Sequence, residues 1–452
     1  MNLKNTERNY GLFTTIAMII GVCIGSGIFF KSDNILAATG GSVLLGVVVF
    51  LLGATSIIFG GICISELASR TDRPGGIITY AEEFVSEKFA CGMGWFQAFV
   101  YYPTITVVVA WVVGIYICIL FGWQGTLENQ MLIGFLFYSF CFVANALSAK
   151  LGGRIQNITM VVKMIPLLVI AVCGFLFGNP SAGFESVSLH SLQGAGWLSA
   201  IGPVAFSFDG WIISTTISSE IRDSKKNLPK ALVLAPLVIL LTYIAYFVGV
   251  TSLLSPEKII QMQDAHVYAV ADKLFGGIGA QCILIFVIIA VMGTVNGVIL
   301  GYIRVPYSMA LRGEKMFPFS QFLQKRSGKH EMPVFSAIFC YGIILFWTVV
   351  HFFTVKFALL PNSDISEISV TMSYLMYLIL YYKVFTLYRQ GKIQSVFRGV
   401  VVPCLAALGS LFVLSGGLQS KLFLFYAAIC ILTVLISFRY YHRHQRPHER
   451  EA

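Results

Sequence analysis

The sequence predicts an all-α integral membrane protein with twelve transmembrane helices, two of which are broken at matching positions. Composition is the first reason, because 57% of the residues are hydrophobic and only 12% are charged. Soluble domains have about 25% charged residues, so this chain has too few charges to cover a soluble surface. A succession of apolar stretches is the second reason. The third is a pair of polar, glycine-containing interruptions inside two of those stretches.

Each apolar stretch is close to the length that a membrane-spanning helix needs, which is about 20 mostly apolar residues. Twelve such stretches follow one another, and no long polar segment separates them. The predicted spans are 12–30, 42–68, 89–120, 131–149, 155–177, 196–218, 231–254, 277–303, 333–353, 365–386, 400–416 and 421–438. The sequence therefore predicts one polytopic membrane domain over residues 1–452.

The basic residues predict the orientation of these helices. If the N-terminus is inside, 25 of the 31 Lys and Arg residues fall in inner segments and five fall in outer ones. The five outer residues are Lys31, Lys258, Lys273, Lys356 and Lys421. Such a skew is typical of cytoplasmic loops, so both termini are predicted to be cytoplasmic. The net charge of +10 is therefore explained by topology, and nucleic-acid binding is not expected.

The N-terminal segment is polar and leads directly into the first apolar stretch, without a small-residue cleavage site. We interpret it as an uncleaved first helix rather than a signal peptide. The ten cysteines lie in or beside apolar stretches and form no CxxC pair. Neither a metal site nor a redox motif is indicated, and no cofactor is expected.

Two interruptions divide the chain into halves. Helix 1 reads IIGVCIGSGIFF and helix 6 reads GPVAFSFDGW. Each would open one half of a five-plus-five inverted repeat, the first half at about 12–177 and the second at about 196–386, followed by two additional helices at about 400–438. Broken helices at corresponding positions of two inverted halves are the best sequence indication of a transporter binding site.

The first interruption has a run of small residues, Gly25, Ser26 and Gly27, with Gly21 one turn before them. Glycine lets the backbone unwind and lets a ligand approach it closely. The N-terminus of the half-helix that follows would then offer free N–H groups to a carboxylate. The alternative is a helix-packing face, because Gly21 and Gly25 also fit the small-xxx-small pattern.

The second interruption places Asp209 in the middle of an apolar segment, where a carboxylate costs roughly 2.5–3.5 kcal/mol to insert. Charges inside a membrane are functional candidates by default. Asp209 and the carbonyls freed before the break would accept hydrogen bonds from an ammonium group. The alternative is that Asp209 only caps the second half-helix. Phe206 is a candidate gate, although a single Phe is more often packing.

Lys163 is the third candidate, in helix 5 near Pro166. Carbonyls freed at the end of the first half-helix would be suitable acceptors for its ammonium group. The alternative is snorkelling to the inner interface. Lys163 lies roughly eight residues into the helix, or ~12 Å, which favours a buried coupling role. Asn145, Asn296 and Tyr102 are expected only to make interhelical hydrogen bonds.

Four features together carry a resemblance to a known family. They are IGSGIF in helix 1, RPGGIITYAEE after helix 2, Lys163 in helix 5, and FSFDGW in helix 6. With them the chain resembles the amino acid–polyamine–organocation superfamily across all twelve helices. Within it, the chain looks like the L-type amino acid transporter branch, and among bacterial members like the serine/threonine exchangers. The combination is specific, although each motif alone is not.

The resemblance implies a LeuT-like fold and sodium-independent exchange of L-amino acids by alternating access. It places the substrate carboxylate and ammonium on the residues Cys23, Gly25, Ser26, Gly27, Phe206 and Asp209. It places Lys163 where sodium sits in sodium-coupled relatives. Animal members pair with a glycoprotein through a Cys between helices 3 and 4. That loop, FGWQGTLENQ, has no Cys, so a disulfide-linked partner is not expected.

Alternative functions remain at this point. The nearest is a proton-coupled amino acid symporter, with Asp209 or Lys163 titrating. A channel or receptor is disfavoured, because the chain has no repeated filter motif and no sensor domain. No enzyme motif is present, and three of the seven His lie in a basic C-terminal tail, so an enzyme is not expected. Small neutral amino acids such as serine, threonine and alanine are the expected substrates.

Overall fold

The fold was examined in a computed structural model, which describes residues 10–71, 73, 75–147, 149–181, 196–326, 333–360, 363–418 and 422–445. Eleven helices among these residues are long and apolar enough to cross a membrane. The predicted sixth span is the twelfth crossing, and it is absent from that set because it is broken. The prediction of a twelve-helix, LeuT-like architecture with broken helices 1 and 6 is thus confirmed.

We number the crossings TM1 to TM12. Their bounds are Leu12–Cys23 (TM1a) and Ser26–Ala38 (TM1b), Val43–Ala68 (TM2), Glu87–Phe121 (TM3), Leu127–Leu147 (TM4), Ala149–Phe177 (TM5), Ile201–Phe208 (TM6a) and Ile213–Glu220 (TM6b), Ser224–Leu253 (TM7), His266–Ala310 (TM8), Val334–Lys356 (TM9), Ile365–Arg389 (TM10), Val402–Gly417 (TM11) and Phe423–His444 (TM12). Shorter helices are Ile77–Phe84, Gly196–Ala200, Pro256–Met262, Gln263–Ala265 and Ser320–Leu323. Because twelve crossings is an even number, TM1 begins and TM12 ends on the same side, which we call the terminal face.

The helix 6 break forms where the backbone needs glycine. Gly210 has a φ of 95°, which only glycine adopts readily. Asp209 before it is extended, and TM6b continues as a tight 3₁₀ helix. Ile212 precedes TM6b without any side-chain cap. The alternative that Asp209 is the N-cap of the second half-helix is therefore wrong.

TM3 contains a π-helical turn at Gln97–Tyr101, between its α-helical parts. Such a turn inserts an extra residue and frees carbonyls, and it is frequent at functional sites. Two side chains from other helices satisfy the carbonyls here. The indole of Trp347 donates to Phe99 O at 2.7 Å, and the hydroxyl of Tyr302 donates to Ala98 O at 2.6 Å. TM8 and TM9 thereby hold the turn in place.

The interhelical hydrogen bonds predicted for polar residues in apolar stretches are only partly present. Asn145 donates to Asn296 at 2.8 Å and joins TM4 to TM8, as predicted for both residues. The hydroxyl of Tyr102, in contrast, has no hydrogen-bond partner among the described residues, and its ring stacks on that of Tyr302. The interhelical hydrogen bond predicted for Tyr102 is therefore not present.

Lys31 requires a correction, because its position next to the first apolar stretch suggested an outer loop. The structure places Lys31 inside TM1b, with its side chain 1% exposed. The sequence around it, KSDN, is polar enough to resemble the end of a helix. The helix nevertheless continues to Ala38, and Lys31 has two buried acidic partners.

Candidate functional site

The two breaks meet near the middle of the helical bundle, and glycine allows their close contact. A Cβ atom on Gly27 would lie 2.5 Å from the Cα atom of Ser207 in TM6a. A Cβ atom on Gly25 would overlap the Thr294 hydroxyl of TM8. The predicted unwinding and the predicted close packing of small residues therefore occur at the same place. The side chain of Ser26 lies outside the described residues.

One hydroxyl bridges the two breaks. Tyr243 of TM7 points its hydroxyl at Cys23 O and Ser207 O, 2.8 Å from each. These are carbonyls at the C-terminal ends of TM1a and TM6a, which the breaks leave without helical partners. The carbonyl of Phe206 accepts the backbone N–H of Asp209 at 3.1 Å. Sequence reasoning missed Tyr243, because a tyrosine in an apolar helix carries no distinguishing signal.

Asp209 is buried and is held by one tyrosine. The hydroxyl of Tyr101 lies 2.8 and 3.0 Å from the two carboxylate oxygens. Tyr101 ends the π-helical turn of TM3, so the extra residue in that turn sets which tyrosine of the Tyr101–Tyr102 pair meets Asp209. The sequence analysis did not name Tyr101, because periodicity along an apolar stretch does not reveal a π turn; it named only the neighbouring Tyr102, for an interhelical hydrogen bond.

Lys163 is completely buried, so snorkelling to the interface is excluded. Its ammonium group donates to Gly21 O at 2.5 Å and to the Thr294 hydroxyl at 3.3 Å. Gly21 O lies in the last turn of TM1a, where the break removes the usual helical donor. Lys163 therefore contacts a freed carbonyl of the first half-helix, as the sequence predicted. It connects TM5 to the breakpoint of TM1.

Phe206 lies on the other side of the breaks from Lys163. The ammonium group of Lys31 lies 5.2 Å from the centre of the Phe206 ring, within cation–π distance. Phe206 thus contacts TM1b as well as its own helix. In the part of the chain that the structure describes, no group of His, Cys, Asp and Glu side chains is arranged to hold a metal ion.

The two breaks present groups of opposite polarity, one that attracts anions and one that attracts cations. The free N–H groups and positive dipole end of TM1b begin at Ser26, and helix N-termini attract anions. The carbonyl end of TM6a and the Asp209 carboxylate face the same region and attract cations. Paired half-helices of this kind within the membrane are typical of secondary transporters.

Comparison with known proteins identifies the family. Residues 10–437 match the amino acid permease family, and the chain belongs to that family, within the amino acid–polyamine–organocation superfamily. It is 30% identical to the serine/threonine exchanger SteT of Bacillus subtilis (strain 168) over 435 residues, which cover 95% of this chain and 94% of that protein. It is 26% identical to the b(0,+)-type amino acid transporter 1 of Mus musculus, over 76% of this chain and 70% of that protein. It is also 26% identical to the human Asc-type amino acid transporter 1, over 74% of this chain and 64% of that protein. The chain is therefore a multi-pass membrane transporter of the amino acid permease family.

Proposed function

We propose that the protein exchanges small neutral L-amino acids, such as serine, threonine and alanine, across the cell membrane without sodium. One observation carries this proposal: the start of TM1b packs against TM6a at Gly27 and Ser207, and the buried Asp209 directly follows TM6a. That pairing suits a zwitterion, which has one carboxylate and one ammonium group. The full-length similarity to a serine/threonine exchanger supports the choice of substrates.

In the proposed complex, the substrate carboxylate binds the backbone at Gly25, Ser26 and Gly27. The ammonium group binds the carbonyls of Cys23 and Phe206. Both carbonyls already accept one hydrogen bond, but a carbonyl oxygen has two lone pairs and can accept another. Asp209 adds negative charge to the ammonium side. Phe206 closes over the bound substrate.

The ammonium group of Lys163 supports sodium independence. Its side-chain nitrogen donates to Gly21 O, so a freed carbonyl of the first half-helix already has a donor at this position. A bound metal ion is then not needed to neutralise that end of TM1a. We propose that Lys163 instead couples the position of TM1a to TM5 while the site changes its access.

For the whole protein, we propose that the terminal face is cytoplasmic, in line with the basic residues on that side. The halves at about 12–177 and 196–386 form one domain with the two additional helices, and they move relative to each other during alternating access. The loop between TM3 and TM4 has no Cys, so we propose transport without a disulfide-linked partner.

The test uses purified protein in liposomes, without sodium and without a pH gradient. Uptake of radiolabelled serine, threonine and alanine is measured into empty vesicles and into vesicles loaded with unlabelled amino acid. Exchange predicts uptake only into loaded vesicles. Uptake into empty vesicles that grows with an inward proton gradient would replace the proposal with proton symport. Absence of uptake in both would reopen the substrate class.

A further inference from the structure

A group of titratable side chains lies where TM1b meets the segment between TM7 and TM8. Asp33 of TM1b is 6% exposed, and His266 at the start of TM8 is 0% exposed. Asp264, in the short helix Gln263–Ala265 just before TM8, is partly exposed. We call Asp33, Asp264 and His266 the acid–imidazole cluster. None of the three belongs to the breaks of TM1 and TM6.

The acid–imidazole cluster lies toward the side opposite the terminal face. TM7 is an odd-numbered crossing like TM1, so it begins at the terminal face, and the segment between TM7 and TM8 lies on the other side. TM1b follows the break of TM1 and runs toward that same side. Because Asp264 is partly exposed there, protons from the medium on that side can reach the cluster.

Several buried polar atoms in this region have no hydrogen-bond partner among the described residues. They are Asp33 Oδ1, His266 Nε2 and the hydroxyls of Tyr116 in TM3 and Tyr246 in TM7. The Nδ1 atom of His266 lies 2.6 Å from Gln263 O. Since a carbonyl only accepts, Nδ1 carries a hydrogen, and Nε2 of the neutral ring is left as an acceptor. The carboxylate of Asp33 and the imidazole of His266 can therefore each take up a proton.

Electrostatic interactions connect the members of the cluster. Asp33 interacts with both His266 and Asp264, and the hydroxyl of Tyr116 interacts with both carboxylates. Asp33 belongs to the first half of the predicted repeat, whereas Asp264 and His266 belong to the second. The cluster therefore spans two parts of the molecule that are proposed to move relative to each other.

Other charges around the cluster do not neutralise it. Lys31, two residues before Asp33, attracts the carboxylates of Asp33 and Asp264, but its ammonium group is bound directly to two carboxylates of TM10. The remaining charged side chains of the short helix after TM7 and of TM8 before its kink are exposed; they are Glu257, Lys258, Asp272 and Lys273. The cluster thus depends mainly on protons to balance its own charge.

Burial favours the protonated cluster. Without added protons, the cluster has two negative charges, and its neutral form needs one proton on Asp264 and one shared by Asp33 and His266. Desolvation disfavours the charged forms, so the packed cluster binds more protons than the same groups in water. Asp264 lies outside the crossings and has this direction: burial, and then the carboxylate of Asp33, raise its pKa from 3.8 to about 7.

We propose that the acid–imidazole cluster is a proton-binding site open to the medium opposite the terminal face, and that proton binding there slows amino acid exchange. A bound proton stabilises the packing of TM1b against the segment between TM7 and TM8. This inference rests on the proposed function, because exchange requires the half that contains TM1b to move relative to the half that contains TM8. The cluster is separate from Asp209 and Lys163, so its proton need not be transported.

The experiment measures exchange of radiolabelled serine in amino-acid-loaded liposomes, with the same pH inside and outside and without sodium. Equal pH on both sides removes any proton gradient as a driving force. Each proton that is bound only in the packed state changes the packing equilibrium by up to tenfold per pH unit. Wild-type exchange should therefore be about tenfold slower at roughly pH 5.5 than at roughly pH 7.5.

Asp264→Asn is the main variant, because an amide is neutral at every pH, as a protonated carboxyl group is. Its exchange at neutral pH should fall toward the acid rate of the wild type, and its pH dependence should be largely lost. Asp33→Asn should change the profile in the same direction. Asp272→Asn is the matched control, because Asp272 is an exposed carboxylate of TM8 before the Gly276 kink, and it should keep the wild-type profile.

The melting temperature of the purified protein provides a readout that does not depend on transport. Because the pKa of Asp264 is raised in the folded protein, folding favours its protonated form, and stability should fall as pH rises from about 4 to about 7. The fall should be smaller in Asp264→Asn and unchanged in Asp272→Asn.

Three results would overturn the proton site. One is wild-type exchange that is constant or faster at acid pH. Another is a wild-type pH profile of exchange in Asp264→Asn. The third is an equal pH dependence of the melting temperature in the wild type and in Asp264→Asn. Failure of the proposed function is separate, since the wild type would then exchange no serine at any pH while its melting temperature still depended on Asp264.

Discussion

At the scale of single residues, Lys163 has the clearest expected effect. Lys163→Ala removes the ammonium group from Gly21 O and Thr294. A charged hydrogen bond contributes about 1.5–3 kcal/mol, so exchange should slow by roughly tenfold or more while expression remains. The measurement is uptake into amino-acid-loaded liposomes.

Lys273→Ala is the control for Lys163, because Lys273 also donates to a backbone carbonyl, that of Leu253, at 2.5 Å but away from the breaks. Its exchange rate should remain near that of the wild type. Normal uptake by Lys163→Ala would remove the coupling role and leave Lys163 with packing alone.

Gly27 gives a steric prediction. A Cβ atom there would lie 2.5 Å from the Ser207 backbone, so Gly27→Val should force TM1b away from TM6a. Overpacking of this kind costs about 1–3 kcal/mol, and the displaced backbone should no longer bind the carboxylate. Binding of serine to the purified variant, measured by calorimetry, should be lost.

Gly342→Val is the control for Gly27, because a Cβ atom on Gly342 in TM9 would meet nothing within 4 Å. Serine binding should be unchanged in that variant. If Gly27→Val binds serine as the wild type does, Gly27 does not belong to the substrate site.

The sequence predicted those candidate site residues that are charged, or are glycine, within an otherwise apolar stretch. Asp209, Lys163 and the glycines of TM1 are visible for that reason. Tyr101 and Tyr243 were missed, because aromatic residues are common in membrane helices and only the fold shows which hydroxyl meets a freed carbonyl or a carboxylate. Lys31 was misplaced, because its two carboxylate partners lie more than 300 residues away in the chain.

At the scale of helices, Tyr243 connects the two broken segments. Tyr243→Phe removes one hydroxyl that serves both Cys23 O and Ser207 O. The loss of a neutral hydrogen bond costs about 1 kcal/mol, so the half-helices should separate more easily and exchange should fall by about fivefold. The assay is exchange in liposomes, with thermal unfolding of the same preparation.

Tyr138→Phe is the appropriate comparison, because the Tyr138 hydroxyl bonds Thr348 between TM4 and TM9 at 2.9 Å. It removes an interhelical hydroxyl of the same kind away from the breaks. A similar loss of exchange in both variants would show that Tyr243 acts through general stability and not through the breaks.

Apart from TM8, the ends of the helices were predictable to within eight residues, because the bilayer requires long apolar stretches. TM8 is the main exception. It begins at His266 rather than near 277, and a kink at Gly276, with a φ of 70°, divides it. The segment before Gly276 is too polar to span a membrane by itself, so hydropathy did not assign it to the helix.

At the scale of the whole molecule, an ion-pair network lies at the terminal face. Arg312 at the end of TM8 donates to Glu82 and to Thr79 of the short helix after TM2, both at 2.6 Å. Glu82 also pairs with Arg73 at 2.9 Å. Desolvation of Arg73 is outweighed by its acidic partners, and they raise the pKa of its guanidinium, so it stays charged.

This network predicts a change in access from the terminal face. Glu82→Gln leaves Arg312 with weaker partners, so the terminal face should open. Labelling of the buried Cys23 thiol by a membrane-impermeant maleimide should rise about tenfold from that face only, because Arg312 and Arg73 lose a charged partner that they share. Glu128→Gln, at an exposed pair on the opposite face, should leave labelling unchanged. A rise from the opposite face instead would contradict the assignment.

The π-helical turn of TM3 has a consequence for comparing this protein with its relatives. Gln97–Tyr101 contains one residue more than a continuous α-helix would need, and each residue advances a helix by about 100°. A relative with a regular third helix would show a one-residue gap here, and its residues before the gap would face other neighbours. An alignment that ignores this gap would pair Tyr101 with a residue that points away from the acidic position of helix 6. The insertion, rather than the identity of the aligned residue, then determines whether two homologues share this contact.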